Sequence, residues 1–362
     1  MVRTSSQPEA ARPAVLLPEP VEEEAVRLLE QGGVELLRAA DPRPETVAPL
    51  LARADAVVLR TGLKLDAGLV SGAPRLRTVS RTGAGYDNVD VAAATRHGVI
   101  VTSSVGANTS TVVEHTLALL LALAKRLLDL DRAVRRGDFK LRYAYLPRDL
   151  RGQVLGVVGF GKIGGEVARA CHQILGMSIL AHDALMPDAA RADLSAWVEF
   201  TDLPELFRRA DVVTLHLPLH AATRGLVGRE LLSSMKPGAL LVNAARGGVV
   251  DEAALAEALR AGPLGGAALD VFAREPPPAD SPLLGLTNTV LTPHAAALTR
   301  TCVTRMAVLA AQRVLDVLDG YLPDDVANPE VLADERWRHL VHRPKAEAEE
   351  GARTTKLRDG SP

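Results

Sequence analysis

Aromatic side chains are scarce: five Phe, four Tyr and two Trp make up only 3% of the 362 residues. A core without them must be assembled from the Ala, Val and Leu that dominate the 47% hydrophobic fraction, as where helices pack closely on a parallel sheet. Cysteine is nearly absent too. Cys171 and Cys302 are far apart and form no Cys-x-x-Cys pair, which argues against a disulfide or zinc framework and fits a reducing compartment. No charge of one sign dominates, since 42 basic residues meet 44 acidic ones and no long basic run precedes the C-terminal tail. Nucleic-acid binding therefore has no compositional support. Long apolar runs are also missing: the richest, Leu117 to Ala124, falls far short of a membrane span, and the polar stretch Met1 to Pro13 lacks the apolar core of a signal peptide. A cytoplasmic protein with no membrane and no nucleic-acid partner is expected.

What is present is a repeat. The length exceeds what one hydrophobic core organises, so two domains are expected. Short apolar runs at Ala14–Leu17, Ala56–Leu59, Leu76–Ser80 and Val99–Val101 alternate with amphipathic stretches, which is a βα pattern. A second series begins at Val154–Val158 and continues through Met177–Ala181, Val212–Leu215, Leu240–Val242, Ala267–Leu269 and Val290–Leu291. The pattern predicts an α/β chain with two doubly wound, parallel-sheet units. Between them, Thr109 to Arg136 reads as one long helix, and Thr299 to Leu318 as a helix that returns to the first unit. The expected division is a disordered N-terminus over 1–12, a discontinuous domain over 13–107 plus 296–330, a second domain over 108–295, and a polar, disordered tail over 331–362.

Gly159-Phe160-Gly161-Lys162-Ile163-Gly164 directly follows the strand of the second unit and opens a helical pattern through Val167, Ala168 and Ile174. That strand, turn and helix context is what a G-x-G-x-x-G dinucleotide motif requires. Gly159 permits a tight turn, Gly161 lets the backbone approach a pyrophosphate, and Gly164 lets helix and strand pack closely, while the helix N-terminus favours the anion. Asp183 ends the next strand, where a carboxylate accepts hydrogen bonds from an adenosine ribose and repels a 2′-phosphate, favouring NAD over NADP. Lys162 by itself also reads as a solvated first-turn residue.

Three further residues stand just after strands of the second unit, where open α/β sheets bind ligands: Arg246, Glu275 and His294. Arg suits a carboxylate and carbonyl, and His suits proton exchange during hydride transfer from an alcohol. From position alone, each is also compatible with a strand-end residue making local hydrogen bonds.

The wording around these residues closely resembles the D-isomer-specific 2-hydroxyacid dehydrogenase family. It does so at Asn243-Ala244-Ala245-Arg246-Gly247-Gly248-Val249-Val250-Asp251-Glu252, Gly266 to Phe272, Glu275-Pro276 and Thr292-Pro293-His294. Further matches are His216-Leu217-Pro218-Leu219, Thr223-Arg224-Gly225-Leu226, Met235-Lys236-Pro237-Gly238 and Gly83 to Asp90, and the likeness runs from about Ala14 to Val331. The resemblance implies two Rossmann-like domains and NAD as cofactor. It implies that Arg246 binds the substrate, that His294 is the acid/base, and that Glu275 hydrogen-bonds the imidazole and favours its protonated form. It further implies that Asp270 holds the carboxamide side of the nicotinamide, with Leu217, Pro218, Thr223, Ala244, Ala245 and Ala296 at the cofactor. Arg60, Ala84 and Gly85 match substrate-facing positions, though Arg60 also reads as a solvated strand-end charge. Asn108 matches the hinge entry. After His294 the family usually carries glycine-containing segments, whereas here the chain reads Ala295-Ala296-Ala297-Leu298-Thr299.

The implied reaction is hydride transfer between NAD(H) and a small 2-hydroxy or 2-oxo acid, of the 3-phosphoglycerate or hydroxypyruvate/glyoxylate type. The alternative is an NAD(H)-binding regulatory protein resembling the C-terminal-binding corepressors. A homodimer is expected through the helix bearing Leu117, Leu120, Leu121 and Ala124, which resembles the family's dimer-forming segment. No metal is expected: Pro218 separates His216 from His220, so their spacing does not place them on one helix face. His115, His97, His172 and His182 come with no nucleophile or cysteine cluster and are read as structural or solvated.

Overall fold

The computed structural model describes residues 12–144 and 146–342. The chain divides into two compact units, the first built from the residues up to Asn108 together with those from Thr299 onward, the second spanning Thr109–Leu298. The first unit is thus discontinuous in sequence.

In the first unit, β1 (Ala14–Leu17), β2 (Glu35–Arg38), β3 (Ala56–Leu59), β4 (Thr78–Arg81) and β5 (Ile100–Ser103) form a parallel sheet in the order β2-β1-β3-β4-β5. Alternation along a strand sends successive side chains to opposite faces. Leu16, Val57, Leu59 and Val79 join Val47, Leu51 and Leu69 on one side. Val15, Leu17, Ala56 and Val58 pack on the other side against Ala25 and Leu29 of the helix Glu23–Gln31 and Ala307, Ala310, Ala311 and Val314 of the helix Arg300–Leu318. Small alanines let this last helix lie close to the strands, and Thr299 caps it by accepting the Cys302 N–H.

In the second unit, β6 (Val154–Val158), β7 (Ser178–His182), β8 (Val198–Phe200), β9 (Val212–Leu215), β10 (Leu240–Asn243), β11 (Gly266–Leu269) and β12 (Thr289–Leu291) form a parallel sheet in the order β12-β11-β10-β9-β6-β7-β8. The order reverses between β9 and β6. One face buries Val158, Phe207, Val213, Leu241 and Leu255, the other Leu155, Val157, Val167, Ala168, Cys171 and Leu120. Each such side chain taken fully from water stabilises the fold by about 1.5–3 kcal/mol for the larger aliphatics.

The structure departs from the sequence reading in four places. Two edge strands, β2 and β8, were not expected, because Glu-Leu-Leu-Arg and Val-Glu-Phe bury little and carry charges, as edge strands do. The single long helix is two, Thr109–Ala124 and Leu127–Arg135, broken at Arg126, whose φ of 51° is left-handed. That conformation costs a non-glycine residue roughly 1–2 kcal/mol, and two hydrogen bonds from the Arg126 guanidinium to Asp129, at 3.1 and 2.9 Å, help to hold it. The stripe expected to meet a partner is largely taken up by this unit's own core, where Leu120 and Ala124 are buried and Leu117 and Leu121 are half-buried against it. Finally, the polar tail expected from residue 331 is ordered as far as 342. Val331 and Trp337 are buried with Ile100 and Val317, and the Trp337 indole donates to the Gly98 carbonyl at 3.0 Å. Val331 and Trp337, with Leu332 and Leu340 packed beside them and Arg336 donating to the His97 carbonyl at 2.7 Å, dock a segment whose charge suggests otherwise. The rest of the expected tail, 343–362, and the expected disordered N-terminus through residue 11 lie outside the described residues.

Candidate active site

All the second-unit candidates stand at the carboxyl ends of strands, on both sides of the point where the strand order reverses, which is where open α/β sheets bind ligands. The glycine turn links β6 to the helix Lys162–Leu175. Gly159 has φ of 89°, and a Cβ there would lie 2.7 Å from the His216 carbonyl oxygen. A Cβ on Gly164 would stand 2.0 Å from the Gly159 carbonyl oxygen, so the helix rests directly on the turn. A Cβ on Gly161 would meet nothing within 4 Å, which leaves open space above the helix N-terminus. This combination of two packed glycines and one open glycine is what a pyrophosphate cradle needs. Lys162 is exposed and Ile163 half-buried, while Phe160 is buried against Trp197 and Phe200. The Phe160 N–H donates to Asp183 Oδ2 at 2.8 Å, tying the glycine turn to the end of β7, and Oδ1 accepts the Leu185 N–H at 2.9 Å.

Beyond β9, the loop bearing Leu217 and Pro218 is closed by Thr223, whose hydroxyl donates to the Pro218 carbonyl at 2.7 Å and accepts the His220 N–H at 2.9 Å. His216 keeps part of its surface, but its ring packs under the Gly164 contact and lies 3.0 Å from Thr214 Oγ1, and burial pulls its pKa down to about 4. It is a neutral structural ring. Burial pushes the Cys171 thiol up to about 12, which removes it as a nucleophile.

Asn243, the last residue of β10, shapes the next loop. Its side chain accepts from the Ala245 N–H at 3.1 Å and donates to the Arg246 carbonyl at 3.0 Å, so Ala244, Ala245 and Arg246 follow a fixed path. A Cβ on Gly247 would fall 1.9 Å from the Phe272 carbonyl carbon, so only glycine lets this loop meet the segment after β11. That contact brings Arg246 near Glu275. Glu275 Oε1 accepts the Phe272 N–H at 3.0 Å, and its Oε2 lies 2.7 Å from His294 Nδ1. Burial works to raise the Glu275 carboxyl, but the hydrogen bonds from His294 and Phe272 and the charges of His294 and Arg246 outweigh it and hold it below the ordinary carboxylate range. Arg246, Glu275 and His294 thus form one cluster.

Asp270 is fully buried, and its carboxylate is occupied within the protein: it accepts from Thr292 Oγ1 at 2.6 Å, Ala295 N–H at 2.8 Å and Ala296 N–H at 2.9 Å. The Ala296 N–H is spent on this contact as well. Arg60, Ala84 and Gly85 belong to the first unit, at the ends of β3 and β4. Arg60 there pairs with Glu22 at 3.2 Å and donates to the Pro20 carbonyl at 3.0 Å, so it is a tethered charge rather than a solvated one. His115 was read as structural or solvated; it lies 3.2 Å from Thr292 Oγ1 and 3.4 Å from Asp270 Oδ1. Nothing local in the sequence ties His115 to a threonine 177 positions away.

The family model for the NAD binding domain of the D-isomer specific 2-hydroxyacid dehydrogenases matches residues 117–296. The glyoxylate reductase of Aeropyrum pernix is 40% identical over 329 residues, covering 89% of this chain and 97% of that protein. The D-3-phosphoglycerate dehydrogenase of Archaeoglobus fulgidus is 38% identical over 306 residues, covering 84% of this chain, but the match spans only 57% of that relative's length. Among solved structures, the NADPH-dependent glyoxylate/hydroxypyruvate reductase of Sinorhizobium meliloti, in complex with NADP and malonate, superposes with a TM-score of 0.79 at 28% identity, covering 88% of this chain and 98% of that one.

Proposed function

The chain belongs to the D-isomer specific 2-hydroxyacid dehydrogenase family, and from that premise we propose that it transfers hydride between NAD(H) and a small D-2-hydroxy or 2-oxo acid. The observation that carries this reading is the Glu275 Oε2 contact to His294 Nδ1 at 2.7 Å beside Arg246. Because Nδ1 faces the carboxylate, the other ring nitrogen, Nε2, is the atom that gives and takes the substrate's hydroxyl proton. Glu275 fixes the tautomer and steadies the imidazolium that forms when His294 takes the proton. Arg246 binds the substrate carboxylate and polarises its carbonyl through planar, two-pronged hydrogen bonding. The family resemblance also assigns Arg60, Ala84 and Gly85 to substrate binding.

The cofactor is held by the turn Gly159 to Gly164, by Asp183, by the backbone around Leu217, Pro218 and Thr223, and by Ala244 and Ala245. When bound, the nicotinamide supplies the hydride acceptor or donor. Support for NAD over NADP comes from the Asp183 carboxylate at the ribose end, which a 2′-phosphate would meet as a like charge. The nearest chemical classes of substrate are those named by the relatives, glyoxylate, hydroxypyruvate and 3-phosphoglycerate.

The test is NADH absorbance with the purified protein against phosphohydroxypyruvate, hydroxypyruvate, glyoxylate, pyruvate and 2-oxoglutarate, repeated with NADPH. Turnover of at least one acid, faster with NADH, is expected, and His294→Gln should lower kcat by about 100-fold or more, the scale of a general acid/base. Tight NADH binding with no turnover would replace this reading with a regulatory one.

A further inference from the structure

His115 projects from the helix Thr109–Ala124 toward the strand end that carries the catalytic loop. That loop is unusual in its backbone. His294 has φ of 52°, a left-handed conformation in a residue with a Cβ, and such a conformation persists only where its surroundings over-determine it. Here they do so through Asp270. Its carbonyl accepts the His294 N–H at 2.7 Å, and its carboxylate takes the Ala295 and Ala296 N–H groups that follow. Asp270 thus ties down His294, Ala295 and Ala296, while the Thr292 N–H at the start of the loop donates to the Leu269 carbonyl at 2.9 Å.

A buried carboxylate keeps its place only when its lone pairs are satisfied. The Thr292 hydroxyl lies 2.6 Å from Asp270 Oδ1, the distance of a charge-assisted O–H···O bond, so the single hydroxyl proton is committed there. Thr292 Oγ1 then has only lone pairs to offer, and the His115 Nε2 at 3.2 Å must be protonated to meet it. The same Nε2 stands 3.4 Å from Asp270 Oδ1, close enough to feel the carboxylate, while its hydrogen bond is to Thr292.

We propose that His115 is a positioning residue for the reaction, its Nε2–H holding Thr292, and through the Thr292 hydroxyl Asp270, in the arrangement that sets His294 against Glu275. The proposal rests on the dehydrogenase reading for its catalytic consequence, but not for its structural one. His115 touches no reacting atom in this scheme. It acts through the Thr292 hydroxyl and the loop tied to Asp270.

The experiment compares His115→Leu, which fills the space without a donor, with His115→Gln, whose amide nitrogen reaches the place of Nε2. In the free protein, amide hydrogen exchange at Ala295 and Ala296 should quicken by about 10-fold in His115→Leu and return to within about 3-fold of the parent in His115→Gln. In turnover, His115→Leu should lose about 10-fold in kcat with the KM for NADH changed by less than about 3-fold, and His115→Gln should recover most of the loss. Thr292→Val, which removes this link together with the Thr292–Asp270 hydrogen bond, should quicken the exchange at least as much as His115→Leu does, and serves if that variant does not fold. Parent-like exchange in both His115→Leu and Thr292→Val overturns the proposal, as does a His115→Gln protein as impaired as His115→Leu. If the parent protein turns over no 2-oxo acid, the dehydrogenase reading fails, and the exchange rates still judge the role of His115.

Discussion

At the scale of residues, Glu275 shows how opposing effects are settled by neighbours. Burial disfavours its charge, yet the hydrogen bonds from His294 and Phe272 and the nearby Arg246 and His294 outweigh it, and the group is held as a carboxylate. The sign of the pH dependence follows. Its folded pKa lies below the ordinary 4.5, so the unfolded chain takes up the proton first as pH falls. The stability contributed by the ionised form is therefore complete above about pH 4.5 and is lost as pH drops through the folded value. In urea titrations, the parent should exceed Glu275→Gln in midpoint near pH 7, and the gap should close toward pH 3. A gap that widens in acid would contradict the assignment. Arg246, Glu275 and His294 could be proposed from the sequence because each follows a strand and the motifs around them resemble the family's, whereas position alone left each compatible with a local hydrogen-bonding role. His115 could not be proposed in this way, because its partners lie far along the chain and a lone helical histidine carries no local signature.

Among the elements, the glycine turn separates two functions that the motif alone leaves joined. A methyl group on Gly164 collides with the backbone of Gly159, and relieving such overpacking costs about 1–3 kcal/mol. A methyl group on Gly161 collides with nothing in the protein, and the backbone there is extended, with φ of −78°. Gly164→Ala should therefore lower Tm by several degrees, whereas Gly161→Ala should melt as the parent does while losing about 10-fold or more in NADH affinity. Thermal melts and a fluorescence titration check both, and equal effects from the two variants would deny the division of labour. The buried strands were read correctly because both their faces are apolar. The edge strands β2 and β8 escaped because one-sided burial leaves charged residues in the run, and the break at Arg126 escaped because nothing apart from an Arg and an Asp three residues on marks it.

For the whole molecule, exposed apolar side chains occur singly at such places as Ile174, Leu185 and Leu298, but they are densest in sequence past that break, at Leu127, Leu128, Val134, Phe139, Tyr143 and Leu146, with Phe139, Tyr143 and Leu146 more than 60% exposed. A contiguous stretch of such residues marks an interface more often than a free surface. The homodimer that the family resemblance implies is therefore expected to use this segment rather than the leucine stripe of the preceding helix. Light scattering should give twice the 38.4 kDa chain mass, and Phe139→Glu should shift it toward one chain. A monomer at micromolar concentration would refute the dimer.

Apolar periodicity, a G-x-G-x-x-G after a strand, and strand-end Arg, Glu and His are local properties, and they were enough for the α/β class, the two parallel sheets and the main catalytic candidates. Other features depend on which distant groups meet. They include the use of Asp270 as the anchor of the His294 loop, the obligatory Gly247 contact with Phe272, the docking of Trp337 on Gly98, and the link from His115 to Thr292. Those meetings were decided only in the tertiary structure, because a buried carboxylate or indole takes whatever donor or acceptor packing brings to it, and packing joins residues that the sequence keeps far apart.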